Sequence, residues 1–63
     1  MNVIIWAIDC HCQVIKHVFA TKTQMENGHP IMLIWHLSDG VELMDRIYLS
    51  TVKSIDCEVV NEA

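Results

Sequence analysis

Apolar residues along the chain fall in short blocks with the two-residue period of strands. Residues 3–8 (VIIWAI) are apolar at every position and mostly β-branched, the pattern of a short strand covered on both faces. The group at 9–12 (DCHC) reads as a turn. Residues 13–21 (QVIKHVFAT) are rich in Val, Ile and Thr, which favours a strand. Val14, Ile15, Val18 and Phe19 also share one helical face, so a helix near residues 10–25 is the alternative. Residues 24–30 (QMENGHP) read as a loop, marked by Asn-Gly and Pro. Residues 31–37 (IMLIWHL) give the clearest strand, with Trp35 in the core like Trp6 before it. Ser38-Asp39-Gly40 then closes a hairpin, with glycine supplying a positive φ. Residues 41–49 alternate, with Val41, Leu43, Ile47 and Leu49 on one face; Asp45 interrupts that face and predicts a bulge or bend. After Ser50-Thr51, residues 53–59 alternate with Ile55, Cys57 and Val59 inward and Ser54, Asp56 and Glu58 toward water. The end, Asn61-Glu62-Ala63, is expected to fray.

Five short strands with tight connections predict a mainly β fold, a small antiparallel sheet or barrel forming a single domain over residues 1–63. The hairpin around residues 38–40, the short break at 50–51 and the final strand resemble the closing half of SH3-like and Sm-like barrels. The resemblance covers about half the chain, carries no family signature, and implies an architecture without a function. An α+β arrangement, βαββ with the helix near residues 10–25, is the alternative fold.

Composition adds a problem of stability. The chain has 63 residues, 52% of them hydrophobic and 19% charged, which is the reverse of a disordered composition. A chain near this length buries only about 60% of its unfolded surface, and such domains often gain stability from disulfides, a metal or another subunit. The apolar excess favours another subunit, so a homo-oligomer is expected. No apolar run reaches the roughly 20 residues of a membrane helix, and no basic segment precedes residues 3–8 as in a secretory signal. Three cysteines cannot all pair within one chain, which favours a reducing cytoplasm.

Charge is segregated. In residues 1–31, Lys16 and Lys22 balance Asp9 and Glu26. In residues 32–63, Arg46 and Lys53 face Asp39, Glu42, Asp45, Asp56, Glu58 and Glu62, so the net charge of −4 lies entirely in the second half. Phosphate binding depends on Lys and Arg, of which there are 4 against 8 acids, so nucleic acid is not the expected partner. A small barrel stacking bases on Trp6, Phe19, Trp35 and Tyr48 is the alternative.

The cysteines and histidines raise a metal reading. Cys10, Cys12, His17 and His36 are the residues that would have to converge, but zinc favours C-x2-4-C pairs and this chain has C-x-C without a second close pair. A zinc-stabilised mini-domain is therefore a second alternative, and the expectation is no cofactor. Cys57 reads as a small core residue. Adjacent Cys10 and His11 would point to opposite faces of a strand, the wrong geometry for a nucleophilic pair, and no phosphate loop or nucleophile elbow occurs. The expected function is thus a non-enzymatic protein-binding module, a regulator or inhibitor. Its acidic residues Glu42, Asp45, Asp56 and Glu58 would meet a basic partner surface. Compact acidic chains of this length are common among accessory proteins of mobile genetic elements, the setting that size and charge suggest.

Overall fold

A computed structural model describes residues 1–59; the frayed end expected at residues 61–63 lies outside them. The fold is mainly β, as the alternation predicts. Its elements are β1 (Asn2–Ala7), β2 (Cys12–Ile15), β3 (Val18–Glu26), β4 (His29–Ser38), β5 (Val41–Tyr48), a 3-10 turn (Leu49–Thr51) and β6 (Val52–Glu58). They form two antiparallel three-stranded sheets, ordered β2-β1-β6 and β3-β4-β5. Residues 10–25 contain no helix; Val, Ile and Thr there take the strand conformation their branched side chains favour. One expected strand becomes two, because the chain kinks at His17, where φ is 58°. Across this corner the Val18 amide donates to the Met1 carbonyl at 2.8 Å, tying the two sheets together, while the Leu37 amide donates to the His17 carbonyl at 3.1 Å and extends the β3–β4 ladder.

The loop expected at residues 24–30 shrinks to two residues. Gln24, Met25 and Glu26 pair with Ile31, Pro30 and His29, leaving Asn27-Gly28 as the turn. Asn27 and Gly28 both have positive φ (51° and 79°), as do Asp39 and Gly40 (51° and 78°). Two consecutive left-handed residues match the twist of a hairpin, so each turn also fixes its register. Gly40→Ala is expected to cost about 1 to 2 kcal/mol, read as a lower urea midpoint with unchanged slope. A Cβ there meets nothing within 4 Å, so the cost is backbone strain alone. A loss below about 0.3 kcal/mol would show that the turn does not need the left-handed conformation.

The core lies between the sheets. Val3, Ile5 and Ile15 from one sheet meet Val18 and Ile34 from the other, with Met32, Ile47, Val52 and Ile55 packed around them. Ile31 and Leu33 are also buried and alternate with Ile34 along β4, so the central strand is covered on both faces, as expected. Four further expectations fail. β1 is covered on one face only, with Trp6 40% exposed, and Trp35 is half-buried rather than enclosed. A pair of three-stranded sheets has too few layers to hide both sides of every strand. Cys57 sits opposite Val3 on the inward face, yet it is exposed, because β6 is an edge and its end is left uncovered. Finally, Asp45 causes no bulge: the β4–β5 register runs unbroken from Ile31↔Tyr48 to Ser38↔Val41. Bulges occur instead between Trp6 and Ala7 and between Val18 and Ala20.

Candidate interaction surface

Directly opposed residues of an antiparallel ladder share a face, so the pairing places each functional candidate. On the outer face of the first sheet, Val14, Ile4 and Asp56 form one cross-strand row and Cys12, Trp6 and Ser54 the next. Asn2 and Glu58 extend the same face. Val14 is 49% and Trp6 40% exposed. The result is an open apolar patch bordered by two carboxylates. Beside it, Trp6, Ala7, Cys10, Lys53 and Ser54 line a cavity of about 280 Å³.

The other two acidic candidates part company. Glu42 opposes Leu37 on the face away from the central cluster, whereas Asp45 opposes Ile34 and points to the cluster side. The fold therefore brings Asp56 and Glu58 together and separates Glu42 from Asp45. Asp45 has a partner that charge counting does not reveal: its Oδ2 lies 2.9 Å from His36 Nε2. The approach lies off the line of an aligned hydrogen bond, and Nε2 is buried with no other polar partner. The contact is therefore a close electrostatic pairing at the rim of the core. The signal for it exists in the sequence. A two-residue turn at Asp39-Gly40 sets His36 opposite Leu43, which makes Asp45 its diagonal neighbour on the same face.

Of the metal candidates, Cys10 is exposed in the turn after β1, Cys12 is exposed on β2, His17 is exposed at the kink, and His36 is taken up with Asp45. Among the described residues no three His, Cys, Asp or Glu side chains gather closely enough to hold an ion. His11 Nδ1 lies 3.0 Å from Asp9 Oδ2, both strongly exposed, a contact confined to its own turn. All three cysteines are free thiols. Among the described residues no helix is long and apolar enough to cross a membrane.

The periodicity also fails to single out the open edge of β5. This strand ends its sheet, and Val41, Leu43, Met44 and Tyr48 are 58%, 45%, 46% and 49% exposed. Arg46, on the same strand, donates from Nη1 to Glu26 Oε1 at 3.2 Å. Both partners are substantially exposed, which keeps that ion pair at about 1 kcal/mol or less. No family model, no curated protein and no solved structure matches this chain.

Proposed function

We propose that this chain is a small non-enzymatic protein-binding module of the cytoplasm, a homo-oligomer that regulates or inhibits a partner with a basic surface. The observation that carries the reading is the outer face of the first sheet. There Asp56 and Glu58 stand beside the open apolar patch of Ile4, Trp6 and Val14. An apolar centre with charge at its rim is the usual arrangement of an interaction surface, the centre supplying affinity and the rim steering the partner. Glu42 and Asp45 belong to the other sheet and contribute at a distance. The size and acidity suit an accessory protein of a mobile genetic element.

Affinity capture from the native host tests this reading. The native chain is expected to retain a partner whose binding surface is rich in Lys and Arg, and Asp56→Asn/Glu58→Gln is expected to weaken that capture about tenfold. Undiminished capture by the double variant would reject the acidic rim as the contact. One observation favours a second reading: Trp6, Phe19 and Tyr48 are exposed, and Trp6 shares its cavity with Lys53. Exposed aromatics beside a cation are what a single-stranded nucleic acid stacks on. Oligonucleotide binding that falls steeply with salt would select that reading, and no binding at low salt would remove it.

A further inference from the structure

We infer that two copies of this chain pair antiparallel through β5, with Met44 opposite Met44 on a two-fold axis, to make one continuous six-stranded sheet. The inference rests on the self-associating part of the function proposed above and names its contact.

Four strands end the two sheets, and three of them are protected. β2 has only four residues; β3 is bulged at Phe19; β6 brings together the like charges of Asp56 and Glu58. Short length, bulges and charge are the usual defences of an exposed edge. β5 has eight residues in unbroken register with β4, no proline or lysine, and charges of both signs, Glu42, Asp45 and Arg46, for which a second copy supplies partners. Among the described residues no strand pairs with its outer side.

Hairpin geometry decides which backbone groups are free. The two-residue turn closes on the Ser38–Val41 pair, so Val41, Leu43, Asp45 and Ile47 direct their N–H and C=O groups toward β4. Glu42, Met44, Arg46 and Tyr48 then direct theirs toward the open edge. A second β5 running antiparallel satisfies these groups in a small set of registers, and side-chain charge selects among them. With Met44 opposite Met44, Glu42 of each copy stands opposite Arg46 of the other. Two complementary pairs then flank an apolar centre on the outer face. On the inner face Val41 meets Ile47, and Leu43 meets Asp45, whose carboxylate His36 already engages. Sliding one step to centre on Asp45 opposes two carboxylates, and centring on Glu42 or Arg46 opposes like charges as well. Centring on Leu43 leaves Glu42 against Met44. Only the Met44 register pairs every charge of the outer face with its opposite. Arg46 has five N–H donors, so its bond to Glu26 leaves others for Glu42 of the second copy.

Sedimentation up to about 100 µM, above the micromolar range of weak protein contacts, is the direct test. The native chain is expected at twice 7.2 kDa. Glu42→Arg alone and Arg46→Glu alone each oppose like charges twice, and each is expected to raise the dissociation constant tenfold or more. The double variant Glu42→Arg/Arg46→Glu restores opposite charges across the axis and is expected to restore the dimer. Circular dichroism checks that each variant keeps its strands. A second measurement is independent of the Arg46–Glu26 bond. With Cys10, Cys12 and Cys57 changed to Ser, Met44→Cys is expected to form a disulfide-linked dimer on oxidation. Paired Cα atoms about 5.5 Å apart lie within bridging range. Thr23→Cys, on the far edge of the same sheet, is expected to stay unlinked. A monomeric native chain would overturn both this inference and the oligomer within the proposed function. An oligomer indifferent to the charge reversals, or not linked through Met44→Cys, would overturn the β5 contact and leave self-association standing.

Discussion

Ile34→Ala is expected to leave the chain largely unfolded at room temperature. Ile34 is completely buried on the middle strand of its sheet and clusters with Val18 of the same sheet and with Val3, Ile5 and Ile15 of the other. Truncating a buried Ile costs about 2 to 5 kcal/mol, the higher values where the surroundings cannot collapse into the space. Here they cannot collapse easily, because the residues facing Ile34 are themselves fixed in strands on both sheets. A domain of this size has a total stability of only about 3 to 9 kcal/mol, so the loss is a large share of it. Urea unfolding measures the effect at one protein concentration, since self-association would make stability depend on concentration. Met25→Ala, at a site 66% exposed, serves as the comparison and is expected to change stability by no more than about 0.5 kcal/mol. If Ile34→Ala lost less than about 1 kcal/mol, the two sheets would not share the core described above.

That core shows what the amino-acid pattern makes legible. Alternation and branched side chains mark β1, β4, β5 and β6, because a strand's period is local and each residue reports its own face. The Asp39-Gly40 turn is legible for the same reason, since the left-handed pair is a property of two adjacent residues. Asn27-Gly28 carries an identical signal, but Pro30 hides it. Proline reads as a strand breaker, yet Pro30 lies in β4 one position before the last residue paired with β5, where a missing N–H leaves no ladder partner wanting. Burial is less legible than pairing. Trp6 and Cys57 look interior because their neighbours are apolar, but exposure depends on how many layers the fold has, and no single strand contains that information. The candidate site divides in the same way. Asp56 and Glu58 fall together because they lie on one strand two residues apart, whereas Glu42 and Asp45, three apart, must point to opposite faces.

Asp45→Ala is expected to cost about 1 kcal/mol, and adding His36→Leu is expected to recover most of that loss. His36 Nε2 is buried and has Asp45, at 2.9 Å, as its polar neighbour. Nε2 already lacks a hydrogen bond, so removing the carboxylate forfeits the close electrostatic contact that offsets its burial, worth about 1 kcal/mol. The side chain of Asp45 is 42% exposed, so solvent screens the pair and keeps the loss near that value. His36→Leu in the Asp45→Ala background removes the orphaned atom and places an apolar side chain beside Leu43, its directly opposed neighbour. If the second substitution instead lowers stability further, the imidazole contributes by filling space, and its pairing with Asp45 is incidental. The outcome also bears on the edge of β5. Asp45 is the single polar residue on the cluster side of that strand, among Val41, Leu43 and Ile47. A strand with no charge on that side would pair with a second copy in several registers, because apolar side chains slide past one another at little cost. A carboxylate held there by His36 penalises the register that opposes it to itself, just as Glu42 and Arg46 favour the one centred on Met44. With the three native cysteines changed to Ser, Asp45→Cys/His36→Leu is therefore expected to fold, dimerise and form linked dimers through position 45, the register that the native carboxylate penalises.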